Sequence, residues 1–398
     1  MKNKNQKRII YADYASSFAP NASAIHELGV SLKKKLEESR KKTAVFLGAK
    51  TDEIVFTSGG TEANNLALQG VVWHILSKQK KTLPHIIVSN IEHPSVLETV
   101  KLLKERKLVE VTYIPVEENG ILNPALLKKE IKKNTVLISV MFANNEIGVL
   151  EPIKEIAKEI RHWKKHSNNK NIFGEEYPLL HTDAVQAVHY FDLRMEALGV
   201  DMLSLSGSKI QNGLGVGVLF KKREVKLASL LGGGDQEFGI RAGTENVERI
   251  YEFAEALESI KKSHIKEFKR VKSLRDFFAK SLEKIVLKNG FEYIINGDFE
   301  KRLPNNLNVT IKNIPSDLLV IELSTLGIMI SEKSACKSGD KEVSHVIKAI
   351  REKSLKYKSP EYLQSLRFSF GESNTKKDVI FILKSFETIL KKLKKWYK

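Results

Sequence analysis

Cys336 is the only cysteine in 398 residues, and it lies in the stretch Ile330-Ser331-Glu332-Lys333-Ser334-Ala335-Cys336-Lys337-Ser338-Gly339. A chain with one thiol forms no internal disulfide. The neighbours are Ser, Ala, Lys and Gly, so the stretch reads as a polar loop. Structural cysteines sit in apolar runs and behave as small hydrophobes. Nucleophilic ones favour partly exposed, electropositive surroundings that stabilise the thiolate. Lys333 and Lys337 flank this one. Residue type alone leaves both readings open.

A second group of residues points to an anionic, aldehyde-bearing ligand. Lys209 follows an apolar strand in Ser204-Leu205-Ser206-Gly207-Ser208-Lys209-Ile210. A desolvated lysine can form a Schiff base with an aldehyde, and Ser206 and Ser208 could bind a phosphate. Upstream, Leu180-His181-Thr182-Asp183-Ala184-Val185-Gln186 ends a strand with a carboxylate. Asp183 is a helix cap, or it holds a pyridinium nitrogen protonated, which makes pyridoxal phosphate an electron sink. Thr57-Ser58-Gly59-Gly60-Thr61-Glu62 is a Gly-rich turn opening a helix. Its backbone N–H groups and dipole suit an anion; a plain N-cap is the other reading. Glu92-His93-Pro94 places an imidazole just after a strand. His93 is structural, or it stacks on a cofactor ring and moves protons.

The elements that must position these residues alternate. Strands are expected at Ile54–Thr57, His85–Ser89, Val109–Pro115, Thr135–Met141, Leu179–Thr182, Met202–Ser206 and Val216–Phe220. Helices are expected at Glu62–Leu76, from Ser95 to about Lys107, at Asn123–Lys133 and at Pro152–His166. Such alternation argues for a mostly parallel sheet covered by helices. Open sheets of this kind bind ligands at the carboxyl ends of their strands, where Lys209, Asp183, Thr61 and His93 converge. The later part changes character: long helices over Val247–Val286, then Asn306–Ile311, Leu318–Leu326, a helix near Glu342–Glu352, the strand Ser365–Phe370 and a final helix. That pattern reads as a separate α+β unit.

Composition is that of a globular protein, 42% hydrophobic and 29% charged. No apolar run is long enough for a membrane span, and no apolar signal core follows the basic Met1–Arg8. A cytoplasmic enzyme is expected, in keeping with the single cysteine. The net charge of +18 is spread as lysines over amphipathic helices such as Ser31–Lys42 and Ser385–Lys398, which reads as solvated faces. No direct nucleic-acid function is expected.

In combination, these residues resemble the cysteine desulfurases of the NifS/IscS type, within the class V aminotransferase-like pyridoxal phosphate enzymes. The resemblance runs nearly end to end. It is carried by Tyr11-Ala12-Asp13, Phe56 to Asn65, Glu92-His93, Asn144-Asn145-Glu146-Ile147-Gly148, His181 to Gln186, Ser206 to Lys209, Gly239 to Asn246, Ser334-Ala335-Cys336 and Leu366-Arg367-Phe368-Ser369. It implies an α/β architecture, the type I pyridoxal-phosphate-dependent transferase fold. A large domain over 20–260 would carry the sheet; 1–19 and 261–398 would form a smaller α+β domain with the Cys336 loop. It also implies roles. Lys209 would hold pyridoxal 5'-phosphate covalently, Asp183 would pair with the pyridine nitrogen and Gln186 with the phenolic oxygen. His93 would stack on the ring and transfer protons. Thr61, Ser206 and Ser208 would bind the phosphate, and Thr244 the phosphate of a neighbouring subunit, making a homodimer. Arg367 would clamp the substrate carboxylate, Asn144 would lie near the substrate and the phenolic oxygen, and Cys336 would accept sulfur.

The implied activity converts L-cysteine to L-alanine with a persulfide on Cys336. The sulfur would go to an acceptor protein, an iron–sulfur scaffold or a tRNA-thiolation protein. Selenocysteine lyase or another class V activity is the alternative within the fold, and a non-catalytic scaffold for acidic partners or RNA the alternative outside it. The chain departs from the family where Ser208 replaces the usual His before the lysine, and where Phe238 stands in place of a frequent basic residue.

Overall fold

The computed structural model describes residues 9–15, 18, 20–78, 81–166, 170–211, 213–332, 343–354, 357, 359 and 362–397. The strands are β1 (Ile54–Thr57), β2 (His85–Ser89), β3 (Glu110–Ile114), β4 (Thr135–Ser139), β5 (Leu179–Asp183), β6 (Met202–Ser206), β7 (Gly217–Lys221), β8 (Tyr293–Ile295), β9 (Asn306–Ile311) and β10 (Leu366–Ser369). The helices are α1 (Glu27–Leu47), α2 (Gly60–Lys78), α3 (Pro94–Glu105), α4 (Pro124–Lys129), α5 (Ile153–Lys165), α6 (Met195–Leu198), α7 (Val247–Lys288), α8 (Ser316–Ser324), α9 (His345–Glu352) and α10 (Lys376–Leu393).

Seven strands form one sheet in the order β1-β7-β6-β5-β4-β2-β3. All run parallel except β7, which is antiparallel to both β1 and β6. Every residue of β1, β2, β4, β5, β6 and β7 is buried. Helices cover both faces, which is why these strands read as near-continuous apolar runs rather than alternating ones. Edge strand β3 is partly exposed. The polar residues inside this sheet pair across strands. His181 on β5 lies 2.8 Å through Nδ1 from Ser139 Oγ on β4 and 2.9 Å through Nε2 from Ser204 Oγ on β6. Burial pushes its pKa down to about 3, so it is a neutral peg across three strands.

A second, antiparallel sheet has the order β10-β9-β8. Its core gathers Val271, Phe278 and Leu282 of α7, Leu307 and Val309 of β9, Phe368 of β10 and Phe386 of α10. The long helical region is one unbroken helix, because 247–288 contains no Gly or Pro. Its first half packs into the large-sheet core and its second half into the small one. Helix α9, late in the chain, packs into the large-sheet core through Val346, Ile347 and Ile350. Among the described residues no helix is long and apolar enough to cross a membrane.

One buried ion pair ties the N-terminal helix to the loop before α7. Arg40 of α1 donates from both terminal nitrogens to the two oxygens of Glu237, each at 2.8 Å. Glu237 Oε2 also accepts from Phe56 N at 2.7 Å. The guanidinium lies 5.0 Å from the ring centres of both Phe56 and Phe238. Glu237 and Phe238 have φ of 47° and 62°, a left-handed conformation that side chains other than glycine seldom adopt. The pair and its aromatic clamp hold this kink, from which Arg241 and Thr244 follow. Glu237→Gln leaves the buried guanidinium with only the half-exposed Glu37, 3.3 Å from its Nε, as countercharge and should lower stability by about 2–4 kcal/mol. The double change Arg40→Met with Glu237→Leu should recover most of that loss, as read from urea unfolding midpoints.

Candidate functional site

A cavity of about 650 Å³ opens at the carboxyl ends of β5 and β6, where the two sheets meet. Thr61, His93, Asp183, Gln186, Ser206, Ser208, Lys209 and Arg367 all line it. Eight of the residues singled out in the sequence thus share one wall system, although they come from five segments of chain.

Two glycine contacts shape its floor. A Cβ on Gly217 would come within 2.4 Å of the Gly59 backbone, and one on Gly207 within 1.9 Å of Gly213 O. The Gly59-Gly60-Thr61 turn therefore packs on β7 only as bare backbone, the Lys209 turn closes on Gly213 in the same way, and a Cβ added at Gly60 would stand 3.1 Å from the Ser206 Cβ. That approach brings the start of α2 beside the Ser206 and Ser208 hydroxyls, themselves 2.9 Å apart. A Cβ added at Gly59 would meet nothing within 4 Å, so this side of the turn is open. Glu62 also lines the cavity, but its carboxylate is engaged: it accepts from Arg241 Nε at 2.8 Å and from Ser58 N at 2.7 Å. Burial works against its charge, but these donors outweigh it and hold the carboxyl below its usual range.

Asp183 is buried at the end of β5. Its Oδ2 accepts from Asn64 Nδ2 at 2.7 Å, and its Oδ1 from Val185 N at 3.0 Å. The same Asn64 nitrogen donates to Ser95 Oγ at 2.9 Å. Ser95 in turn faces His93: Ser95 N donates to Nδ1 at 3.1 Å, with Ser95 Oγ 2.8 Å away. An accepting Nδ1 puts the His93 proton on Nε2. His93 caps α3 by this bond, and Pro94 occupies the first helical turn. Asn64 and Ser95 link the carboxylate to the imidazole, yet sequence reasoning assigned neither a role. Asn64 lies two residues past the Gly-rich turn, and Ser95 two residues past His93.

Burial holds the His93 pKa below its ordinary value; Asp183 pulls it up, while Lys209 and His345 push it down. Glu92, fully buried, is pushed well above the carboxylate range by burial, against hydrogen bonds from Ser89 and Met141. A neutral Glu92 spares the site a second buried negative charge beside Asp183.

The remaining expectations fall out differently. Lys209 lines the cavity with an exposed side chain, so this chain alone does not desolvate it. Arg367 reaches the cavity from β10, donating to Asn145 O at 2.9 Å. Asn144 stands behind the wall rather than in it. It is fully buried, its Nδ2 donates to Ile91 O at 2.9 Å, and its Oδ1 accepts from Glu146 N and Ile147 N at 2.8 and 2.9 Å. Its amide is spent on shaping that segment, and Asn145 faces the cavity instead. Thr244 is exposed and does not line this chain's cavity. Cys336 lies outside the described residues.

The donor set fits pyridoxal phosphate: hydroxyls and a helix start for a phosphate, a fixed carboxylate for a ring nitrogen and an amine for an aldehyde.

The family model described as Aminotransferase class-V matches residues 8–381. A cysteine desulfurase IscS of Dictyoglomus turgidum is 38% identical over 98% of this chain and 96% of its own length. One of Methanosarcina thermophila is 40% identical over 94% of this chain and 86% of its own. Among solved structures, a NifS-like protein superposes with a TM-score of 0.80 at 31% identity, covering 94% of this chain and 92% of that one.

The electrostatics make a direct expectation. In cofactor-free protein, the His93 ring should titrate below about 6.5 when followed by NMR of its Cε1–H. Asp183→Asn should lower the midpoint further, and Lys209→Met should raise it. The unfolded imidazole binds its proton more readily, so this group removes native stability as pH falls below about 6.5.

Proposed function

We propose a function that proceeds from the family: the chain belongs to the class-V aminotransferases and, within them, to the cysteine desulfurases of the NifS and IscS type, and it takes the sulfur from free L-cysteine, leaving L-alanine. The observation that carries this reading is the meeting of Lys209, Asp183, His93 and Arg367 at one cavity.

Pyridoxal phosphate, when bound, supplies an electron sink for the pair left at the substrate α-carbon. Lys209 would hold it through its amine, Asp183 through the ring nitrogen and Gln186 through the phenolic oxygen. Thr61, Ser206, Ser208 and the first turn of α2 would bind its phosphate. Ser208 offers a neutral hydroxyl where relatives use an imidazole, so the phosphate charge rests more on the α2 dipole.

The residues divide the remaining work. The Arg367 fork binds the substrate carboxylate and orients the α-carbon. The Lys209 amine removes and returns a proton at that carbon. His93, neutral with its hydrogen on Nε2, stacks on the ring and relays protons. The Cys336 thiolate attacks the substrate sulfur: an S–S bond forms, the C–S bond breaks, and a Cys336 persulfide and alanine result. The persulfide then hands sulfur to an acceptor protein, an iron–sulfur scaffold or a tRNA-thiolation protein. The active form is a homodimer in which Thr244, on the loop held by the Arg40–Glu237 pair, reaches the neighbour's phosphate site. Phe238, 54% exposed, and Leu231, 49% exposed, lie on the same loop and support an interface there.

Anaerobic alanine release from L-cysteine by the pyridoxal-phosphate-loaded protein, under a reductant, tests this reading. Wild type should turn over. Cys336→Ser should keep bound cofactor yet lose sulfur transfer by a hundred-fold or more, as order-of-magnitude scale. Arg367→Lys should raise KM about ten-fold, because a point charge cannot replace the planar fork. Full sulfur transfer by the Cys336→Ser variant would refute the assignment.

A further inference from the structure

The turn that ends β2 carries the His93 imidazole, and its backbone is held from several directions. Asn144 Nδ2 donates to Ile91 O at 2.9 Å. His345 Nε2 lies 3.0 Å from the next carbonyl, Glu92 O. A carbonyl only accepts, so His345 must carry its hydrogen on Nε2. The Glu92 side chain points inward, where Oε1 accepts from Ser89 Oγ and from Met141 N, the latter at 2.8 Å. Two consecutive carbonyls and the carboxyl beside them are thus tied to β2, to the segment after β4 and to α9.

His345 is 253 residues from Glu92 in sequence. It is the first residue of α9, so its base is rigid. Val346, Ile347 and Ile350 are fully buried in the large-sheet core. Ser344 caps the helix by accepting from Ile347 N at 3.2 Å, and its hydroxyl donates to the buried Glu146. A ring on such a base fixes what it bonds.

We infer that His345 is a positioning residue for His93. By donating to Glu92 O it fixes the peptide that leads into His93, and so the direction from which the imidazole enters the site. The inference rests on the desulfurase reading for its kinetic arm alone.

The test compares His345→Leu, which keeps bulk without a donor, with His345→Gln, which keeps an N–H donor. In holoenzyme, His345→Leu should lower kcat for alanine release about ten-fold with KM within about two-fold, the scale set by slight misplacement of a reacting group. His345→Gln should stay within about three-fold of wild type. In a His93→Ala background, His345→Leu should cost nothing further, because a residue acting through another shows no separate effect. An equal loss in both backgrounds, or no loss in either, overturns the inference. A second readout needs no activity: in cofactor-free protein both variants lose the His345 ring and its push on His93, so the His93 Cε1–H resonance should still differ between His345→Leu and His345→Gln, and an identical resonance in the two overturns the inference. If wild type releases no alanine, the functional reading fails and the resonance comparison still decides the positioning role. If His345→Leu does not fold, His345→Ala replaces it in both comparisons, and the same outcomes overturn the inference.

Discussion

Asn64 gives its amide hydrogens to Asp183 Oδ2 and Ser95 Oγ, at 2.7 and 2.9 Å, and the geometry of the site hangs on that fork. It joins the start of α2, the end of β5 and the start of α3, and Asn65 adds a second polar tie between the two helices by accepting from Thr99 Oγ1 at 2.9 Å. The choice of an amide matters. An arginine here would fix Asp183 equally well but would neutralise it. A neutral donor orients the carboxylate and leaves its charge available to a cationic ring nitrogen. The same fork orients Ser95, and Ser95 orients His93, so one side chain contributes to the placement of both carboxylate and imidazole.

The fork works because other charges near it have been removed or paired elsewhere. Glu92 is adjacent to His93 yet fully buried, and burial favours its neutral form. Glu62, at the helix start, is occupied by Arg241. Glu237 is matched by Arg40 away from the cavity. A buried pair of this kind adds little net stability against an apolar replacement, since desolvation offsets the Coulomb gain. Its value lies in geometry. Only a directional, two-pronged contact would hold two consecutive non-glycine residues in the left-handed region, and the loop carrying Thr244 leaves from there.

The parallel sheet was readable from sequence because its strands are buried on both faces, so alternation of apolar runs with helical periods marked them directly. β5 and β6 fell within a residue of expectation. The cavity-lining residues were legible for a related reason: a charged or hydroxyl side chain at the end of an apolar strand has few structural uses. The connecting hydrogen bonds were not legible. Asn64, Ser95 and His345 act through contacts 31, 119 and 253 residues apart, and a polar residue in a helix carries no local sign of what it faces. Asn144 shows the converse. Its motif marked it as special, and it is, but its amide is consumed in forming the Asn144–Gly148 turn. Helix α9 misled by position: it follows small-sheet residues in sequence, yet its Val346 and Ile350 complete the large-sheet core.

The site divides its residues by how freely they can change partners. Asp183 and Glu92 are buried, and His93 is half-buried and tethered at Nδ1. Each has its donors or acceptors fixed by neighbouring elements. Lys209, Ser208 and Thr61 are exposed, and Arg367 comes from the other sheet. These are the groups that a covalent cofactor, a phosphate and a substrate carboxylate would engage and release. Rigid groups cost little entropy when the reacting atoms arrive, because they are already ordered. Exchanging groups need room to let go. Exposure of Lys209 in a single chain therefore belongs with its proposed task. A lysine that must bond to a cofactor, leave it and then move a proton cannot be locked by hydrogen bonds of its own, and its turn is held at other atoms instead: His189 Nε2 lies 2.6 Å from the Lys209 carbonyl, and Ser206 Oγ accepts from Ser208 N at 3.3 Å.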